Sequence, residues 1–132
     1  MIEQFTKDLQ ALLASLVSCN VYEGEAPRDA DGVAIEPPFV VYTATPRAKA
    51  DESGVYIVDL FIDVWALNSW ANCYEHYNAL DEALDGTVYA VASGVICADQ
   101  AGAIYQRNER DVTDERLRRM SGQYILRFYP KN

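Results

Sequence analysis

GVYIVDLFIDVWAL, residues 54–67, is the longest apolar run in the chain, and it alternates. Tyr56, Val58, Leu60, Ile62, Val64 and Ala66 would share one face of a strand, because successive strand side chains point to opposite faces. The other face carries Val55, Ile57, Asp59, Phe61, Asp63 and Trp65. One face is wholly apolar and the other mixed. β-branched and aromatic residues dominate, which favours strand over helix. Fourteen residues with two aspartates are too short and too polar to span a bilayer. A strand of an all-parallel sheet would be apolar on both faces, so the pattern predicts the central strand of an antiparallel sheet.

The neighbouring segments supply partners. Phe39 to Thr45, FVVYTAT, reads as a first strand led in by Pro37-Pro38. Residues 46–53, PRAKADES, are polar and longer than a hairpin connection needs. They read as an arm that orders only against a neighbouring subunit or protein. Residues 103–108 read as the start of a third strand, 109–116 as a charged turn, and Leu117 to Tyr129 as the last strand. In that last strand Tyr124, Leu126 and Phe128 would face the core, and Gln123, Ile125, Arg127 and Tyr129 the other side.

Two helices complete the elements. Ile2, Phe5, Leu9, Leu12, Leu13, Leu16 and Val17 recur at helical spacing, predicting an amphipathic helix over 2–18. Ser69 can cap a second helix, WANCYEHYNALDEALD, which Gly86 ends. Its apolar stripe is Cys73, Tyr77, Leu80 and Leu84, with His76 on the surface. Residues 23–38 are acidic and rich in turn formers, and read as a loop. Residues 88–98, VYAVASGVICA, are broken by Gly94 and fit either a short helix with a turn or a partial strand. The expected architecture is a single α+β domain over 1–132: an antiparallel four-stranded sheet with two main helices packed on one face.

Composition narrows the function classes. There are 20 acidic and 11 basic residues, a net charge of −9. That argues against a nucleic-acid coat or an anionic membrane surface as partner, and no sequence-specific nucleic-acid binding is expected. The charge is uneven: residues 1–106 carry 16 acids and 4 bases, and residues 107–132 carry 4 acids and 7 bases. Cys19, Cys73 and Cys97 form no close pair, which suggests a reducing compartment and buried thiols. The start, MIEQFTKDL, lacks the basic head and apolar block of a signal peptide, so a soluble intracellular protein is the expectation.

Catalytic signals are sparse. His76 is the single histidine, so a two-histidine metal site is impossible. Cys73 and His76 lie one helical turn apart, but no second pair has ligand spacing. Asp29-Ala30-Asp31-Gly32 looks like the start of a calcium loop, but the later ligands are missing. There is no glycine-rich phosphate loop. Asp59 and Asp63 are four residues apart on one strand, roughly 13 Å by strand rise, too far to act on one bond. They read as surface charges that Arg127 could neutralise across the sheet. Trp65, with Phe61 and Ile57, would leave an exposed apolar patch unless a loop or helix covers it. No cofactor is expected.

An N-terminal amphipathic helix, an acidic loop, a PPFVVY strand, a long hairpin arm, a VDLFIDVWA strand running into ALDEALDG, and a closing YILRFY form a recognisable layout. The layout resembles the tail terminator (minor tail, or tail-completion) proteins of long-tailed bacteriophages. The resemblance covers nearly the whole chain, with residues 87–101 its weakest part. It implies a non-enzymatic protein of the virion tail, present in the host cytoplasm during assembly. Such a protein would form a six-membered ring with itself, contact the tail tube protein and a head-completion protein, end tail growth and allow head–tail joining. Another phage neck protein, a connector or stopper, is the first alternative; a small ligand-binding α+β domain is the second. In such a ring the interface candidates are Arg47, Lys49, Asp51 and Glu52 of the arm, the aromatic anchors Trp65 and Trp70, and Arg107, Arg110, Arg118 and Arg119. Those last four arginines would face acids of the next subunit, first Glu23, Glu25, Asp29 and Asp31.

Overall fold

The computed structural model describes residues 2–49, 54–101, 105–107 and 116–131. Its elements are α1 (Ile2–Leu16), β1 (Asn20–Glu23), β2 (Phe39–Lys49), β3 (Tyr56–Leu67), α2 (Trp70–Leu84), β4 (Thr87–Val91), β5 (Gly94–Gln100), β6 (Tyr105–Arg107) and β7 (Leu117–Pro130). One sheet runs β1-β2-β3-β7-β5-β4, with β6 also paired to β7. The sheet is curled into a half-barrel, and the two helices pack on its inner face.

β3 lies in the middle, antiparallel to β2 on one side and to β7 on the other. Its inner residues Val58, Leu60, Ile62, Val64 and Ala66 are at most 1% exposed. The same period runs through β7, where Met120, Tyr124, Leu126 and Phe128 are buried. Helix α1 sets Phe5, Leu9 and Leu13, one turn apart, into this core, and the Phe5 and Phe128 rings meet at 4.6 Å. Helix α2 begins as Ser69 accepts a hydrogen bond from the Asn72 amide at 3.0 Å, and buries Cys73, Tyr77, Leu80 and Leu84. Fully burying side chains of this size is worth about 1.5–3 kcal/mol each.

The expectation of a four-stranded antiparallel sheet is wrong in strand number and in sense. Seven strands are present among the described residues, and β1 pairs parallel to β2. β1 escapes a pattern search because it is four residues long with Val21 its single buried side chain. Residues 88–98 are neither helix nor isolated strand but the β4–β5 hairpin, turning at Ala92-Ser93. Gly94 is not a breaker there. It has a φ of +156°, and a Cβ would overlap the Tyr129 carbonyl oxygen, so glycine lets β5 approach β7. β5 and β6 lie along the same edge of β7: Gln100 opposes Tyr124, and Tyr105 opposes Ser121.

The arm also differs from its reading. β2 continues through residues 46–49, with a register shift between Pro46 and Ala48. Residues 50–53 and the 108–115 part of the charged turn lie outside the described residues.

Candidate functional site

Both helices bury their apolar stripes on one face of the sheet, and among the described residues no helix covers the other face. Strand registers lay this outer face out as rows. At one end Phe39, Trp65 and Arg119 stand abreast. The middle is polar: Val41, Asp63 and Ser121, then Thr43, Phe61 and Gln123, then Thr45, Asp59, Ile125 and Asp99. At the far end Ile57, Arg127, Cys97 and Val88 form a row, and Tyr129, Val95 and Ala90 the next. Among the described residues, Phe61 (46% exposed), Val88 (67%), Val95 (36%) and Tyr129 (42%) are the large apolar side chains this face presents to solvent.

The two tryptophans are engaged within the chain. Trp65 is half-buried, its ring 6.4 Å from Phe39, and the Arg119 guanidinium sits 5.1 Å over it. Trp70, at the start of α2, meets Tyr74 at 6.4 Å and carries Arg118 at 5.8 Å. A guanidinium over an indole face is a favourable cation–π contact. Residues 33–37 of the loop close on Trp65 with Arg116 and Leu117, leaving a groove of about 400 Å³. Arg116 reaches Glu36 at 3.7 Å across this end.

Arg47 is held by Asp59 at 2.9 Å. Asp59 is therefore neutralised from β2, not by Arg127 from β7. Asp63 accepts from the Ser121 hydroxyl. Lys49 and Arg107 stand at the ends of β2 and β6. Asp51, Glu52 and Arg110 lie outside the described residues. The seven of the ten singled-out residues that are described do not gather in one place. The Arg47 and Lys49 end of the β2–β3 hairpin and the Arg118 and Arg119 end of β7 sit at opposite ends of β3.

Several titratable groups lie in the interior. His76, expected on the surface, is 7% exposed. The Cys73 thiol donates to the Val64 carbonyl at 3.3 Å, and burial pushes it up to about 11, so it is protonated and unreactive near neutrality. The Tyr124 hydroxyl donates to Asp81 Oδ1 at 2.7 Å and lies 3.2 Å from the Tyr77 hydroxyl. Burial raises both phenols, so each stays neutral. The Tyr42 hydroxyl donates to Gln10 Oε1 at 2.7 Å, while Gln10 Nε2 donates to the Val21 carbonyl at 2.9 Å; burial pushes Tyr42 up to about 12. Asp29 accepts from the amides of Asp31 and Val33, both at 2.9 Å, so its carboxylate closes a turn of its own loop.

The fold is shared with a virion protein. A chain in a structure described as the virion of a native gene transfer agent particle matches with a TM-score of 0.62 at 19% identity. The match covers 96% of this chain and 90% of that one. A second solved structure matches with a TM-score of 0.53 at 14% identity, covering 98% and 94%. No family model matches the chain, and no curated protein matches it in sequence.

The exposed corner of Val88, Val95, Arg127 and Tyr129 was missed by sequence reasoning, because it depends on β4 and β5. A signal was present. Val88, Ala90 and then Val95, Cys97 alternate with Tyr89, Val91 and Ile96, Ala98, the pattern of a two-strand hairpin.

Proposed function

We propose that this chain is a non-enzymatic structural protein of a phage-type virion, and within that class a tail terminator. In this reading six copies form a ring on the end of the tail tube, stop its growth and offer a surface to the head-completion protein. The observation that carries the reading is the match in fold, over nearly the full length of both chains, to a chain of a virion particle. The outer sheet face supports it, because a face with large exposed apolar groups and, among the described residues, no helix over it suits contact with other proteins. Lys49, Asp51, Glu52, Arg107 and Arg110 are candidates for contacts with the ring neighbour or the tube. Arg118 and Arg119 would act by holding Trp70 and Trp65 in place for such contacts, and Arg47 by fixing the β2–β3 hairpin to Asp59.

The test is deletion of the gene from the phage or prophage that carries it, followed by electron microscopy of the particles. A terminator predicts tails of uncontrolled length that do not join heads. Tails of normal length beside heads that leak their DNA would mean a connector or stopper instead. Unchanged particles would exclude both.

A further inference from the structure

The sheet's two edges are finished differently. At the β1 edge the strand is four residues long, and the Gln10 side chain takes the Val21 carbonyl. At the other edge β4 is TVYAV, without charge or proline, with Val88 and Ala90 on the outer face. Uncharged open edges are the ones proteins ordinarily guard. Beside β4 lie Val95 and Tyr129, and the cations are Arg127 and Lys131, both exposed. The whole segment 116–131 contains no acid.

Diagonally across the sheet stands a complementary knob. The loop after β1 is braced by an Arg28–Ala34 bridge, the Asp29 turn and Arg28 Nη1 donating to the Gly32 carbonyl at 3.0 Å. It holds Val33 57% exposed between Asp31 and Glu36. Residues 23–38 carry five acids and one base.

We propose that the β4–β5–β7 corner, Val88, Val95 and Tyr129 with Arg127, is the docking surface for the Val33 loop of a second copy of this chain. The inference rests on the reading of the chain as an assembly subunit and names the contact. Opposite charge favours this pairing, whereas two corners brought together would oppose Arg127 and Lys131 to themselves. The loop sits at the Trp65–Leu117 end of the sheet and the corner at the Arg127–Tyr129 end, so the two patches differ and the contact is heterologous, as a ring requires. The braced loop loses little freedom on binding, which favours affinity.

The experiment uses the intact chain with Val33→Asp, Val88→Asp and Arg127→Glu, all at exposed positions, each checked for native melting by circular dichroism. Sedimentation velocity up to millimolar concentration reads self-association. Each variant should weaken it by about tenfold or more, the effect of losing a central contact. An equimolar mixture of Val33→Asp with Val88→Asp should restore dimers and nothing larger, because such a pair keeps one intact loop–corner contact. A wild-type monomer throughout, single variants that associate normally, or a mixture no better than its components would overturn the proposal. Incorporation of the same variants into particles separates the two claims. Variants that enter particles and associate normally sink the contact alone. Loss of association in a protein that never enters particles sinks the virion reading and leaves the contact standing.

Discussion

Both faces of β3 carry large apolar side chains, but only the inner one is apolar throughout, and the two end up in very different places. The inner face, Val58 to Ala66 at every second position, is shut off from solvent by α1 and α2. The outer face has Ile57, Phe61 and Trp65 among two aspartates, and every one keeps some exposure, Phe61 nearly half. Local sequence sets the alternation, but which apolar residue is buried is decided by where the helices lie. The contrast implies that the inner face holds the fold and the outer face is available for partners.

Truncating the inner face should cost most. Leu60→Ala should lose about 2–5 kcal/mol on denaturant unfolding, the range for a buried leucine that leaves a cavity. A loss under half a kcal/mol would mean the faces are assigned the wrong way round.

Gly122 tests how closely α2 presses on that face. It opposes Ile62 in β3, and an added Cβ would overlap the Tyr77 hydroxyl. Tyr77 is fully buried and lies 3.2 Å from the Tyr124 hydroxyl, so it has little room to yield. Gly122→Ala should cost about 1–3 kcal/mol, as overpacking does, and Tyr77→Phe in the same chain should recover part of it. A neutral Gly122→Ala on thermal melting would show that helix and sheet are further apart.

A smaller, pH-dependent effect ties α1 to the β4–β5 turn. Asp8 accepts from the Ser93 hydroxyl at 2.5 Å and the Ser93 amide at 2.9 Å. The Ser93 hydroxyl bond, helped by Gln4 and the Ser93 amide, holds the Asp8 carboxyl below its ordinary 3.8 against the opposing effect of burial. A lowered folded-state value means the contribution is complete above about pH 4 and is lost as pH falls through that value. Unfolding measured from pH 6 to pH 2 should therefore be less pH-dependent in Asp8→Asn than in the wild type below pH 4. Parallel curves would remove the tie.

The outer face should respond least. Phe61→Ser should change stability by less than about 0.5–1 kcal/mol in the free subunit, since the ring is already half in water. A core-sized loss in calorimetry would show that something in the subunit covers it.

The strands that carry their own period were legible in the sequence: β3, β7 and most of β2, with α2 and its Ser69 cap. What was not legible depended on contacts between distant segments. β1 is a strand because Val21 meets Val40 and Gln10 holds its outer edge, neither of which a four-residue segment announces. The tail of β2 looked like a loop because PRAK is polar, yet pairing with Tyr56 and Ile57 extends the strand through it. His76 reads as a surface residue because it is polar and off the main stripe, but α2 sits deep enough to bury it. For the site, Trp65 and Trp70 were the obvious anchors by residue type. Arg119 and Arg118 stack on them from β7, which moves the exposed apolar groups to Phe61, Val88, Val95 and Tyr129.

The most direct measurement of the central claim is hydroxyl-radical footprinting of the free subunit and of the assembled particle, read residue by residue by mass spectrometry. Phe61, Val95 and Tyr129 should label in the free subunit, with at least the Val95 and Tyr129 corner strongly protected in the particle. Leu60 and Phe128 should be protected in both. Equal labelling of the outer face in the two states would contradict the assignment of that face to assembly.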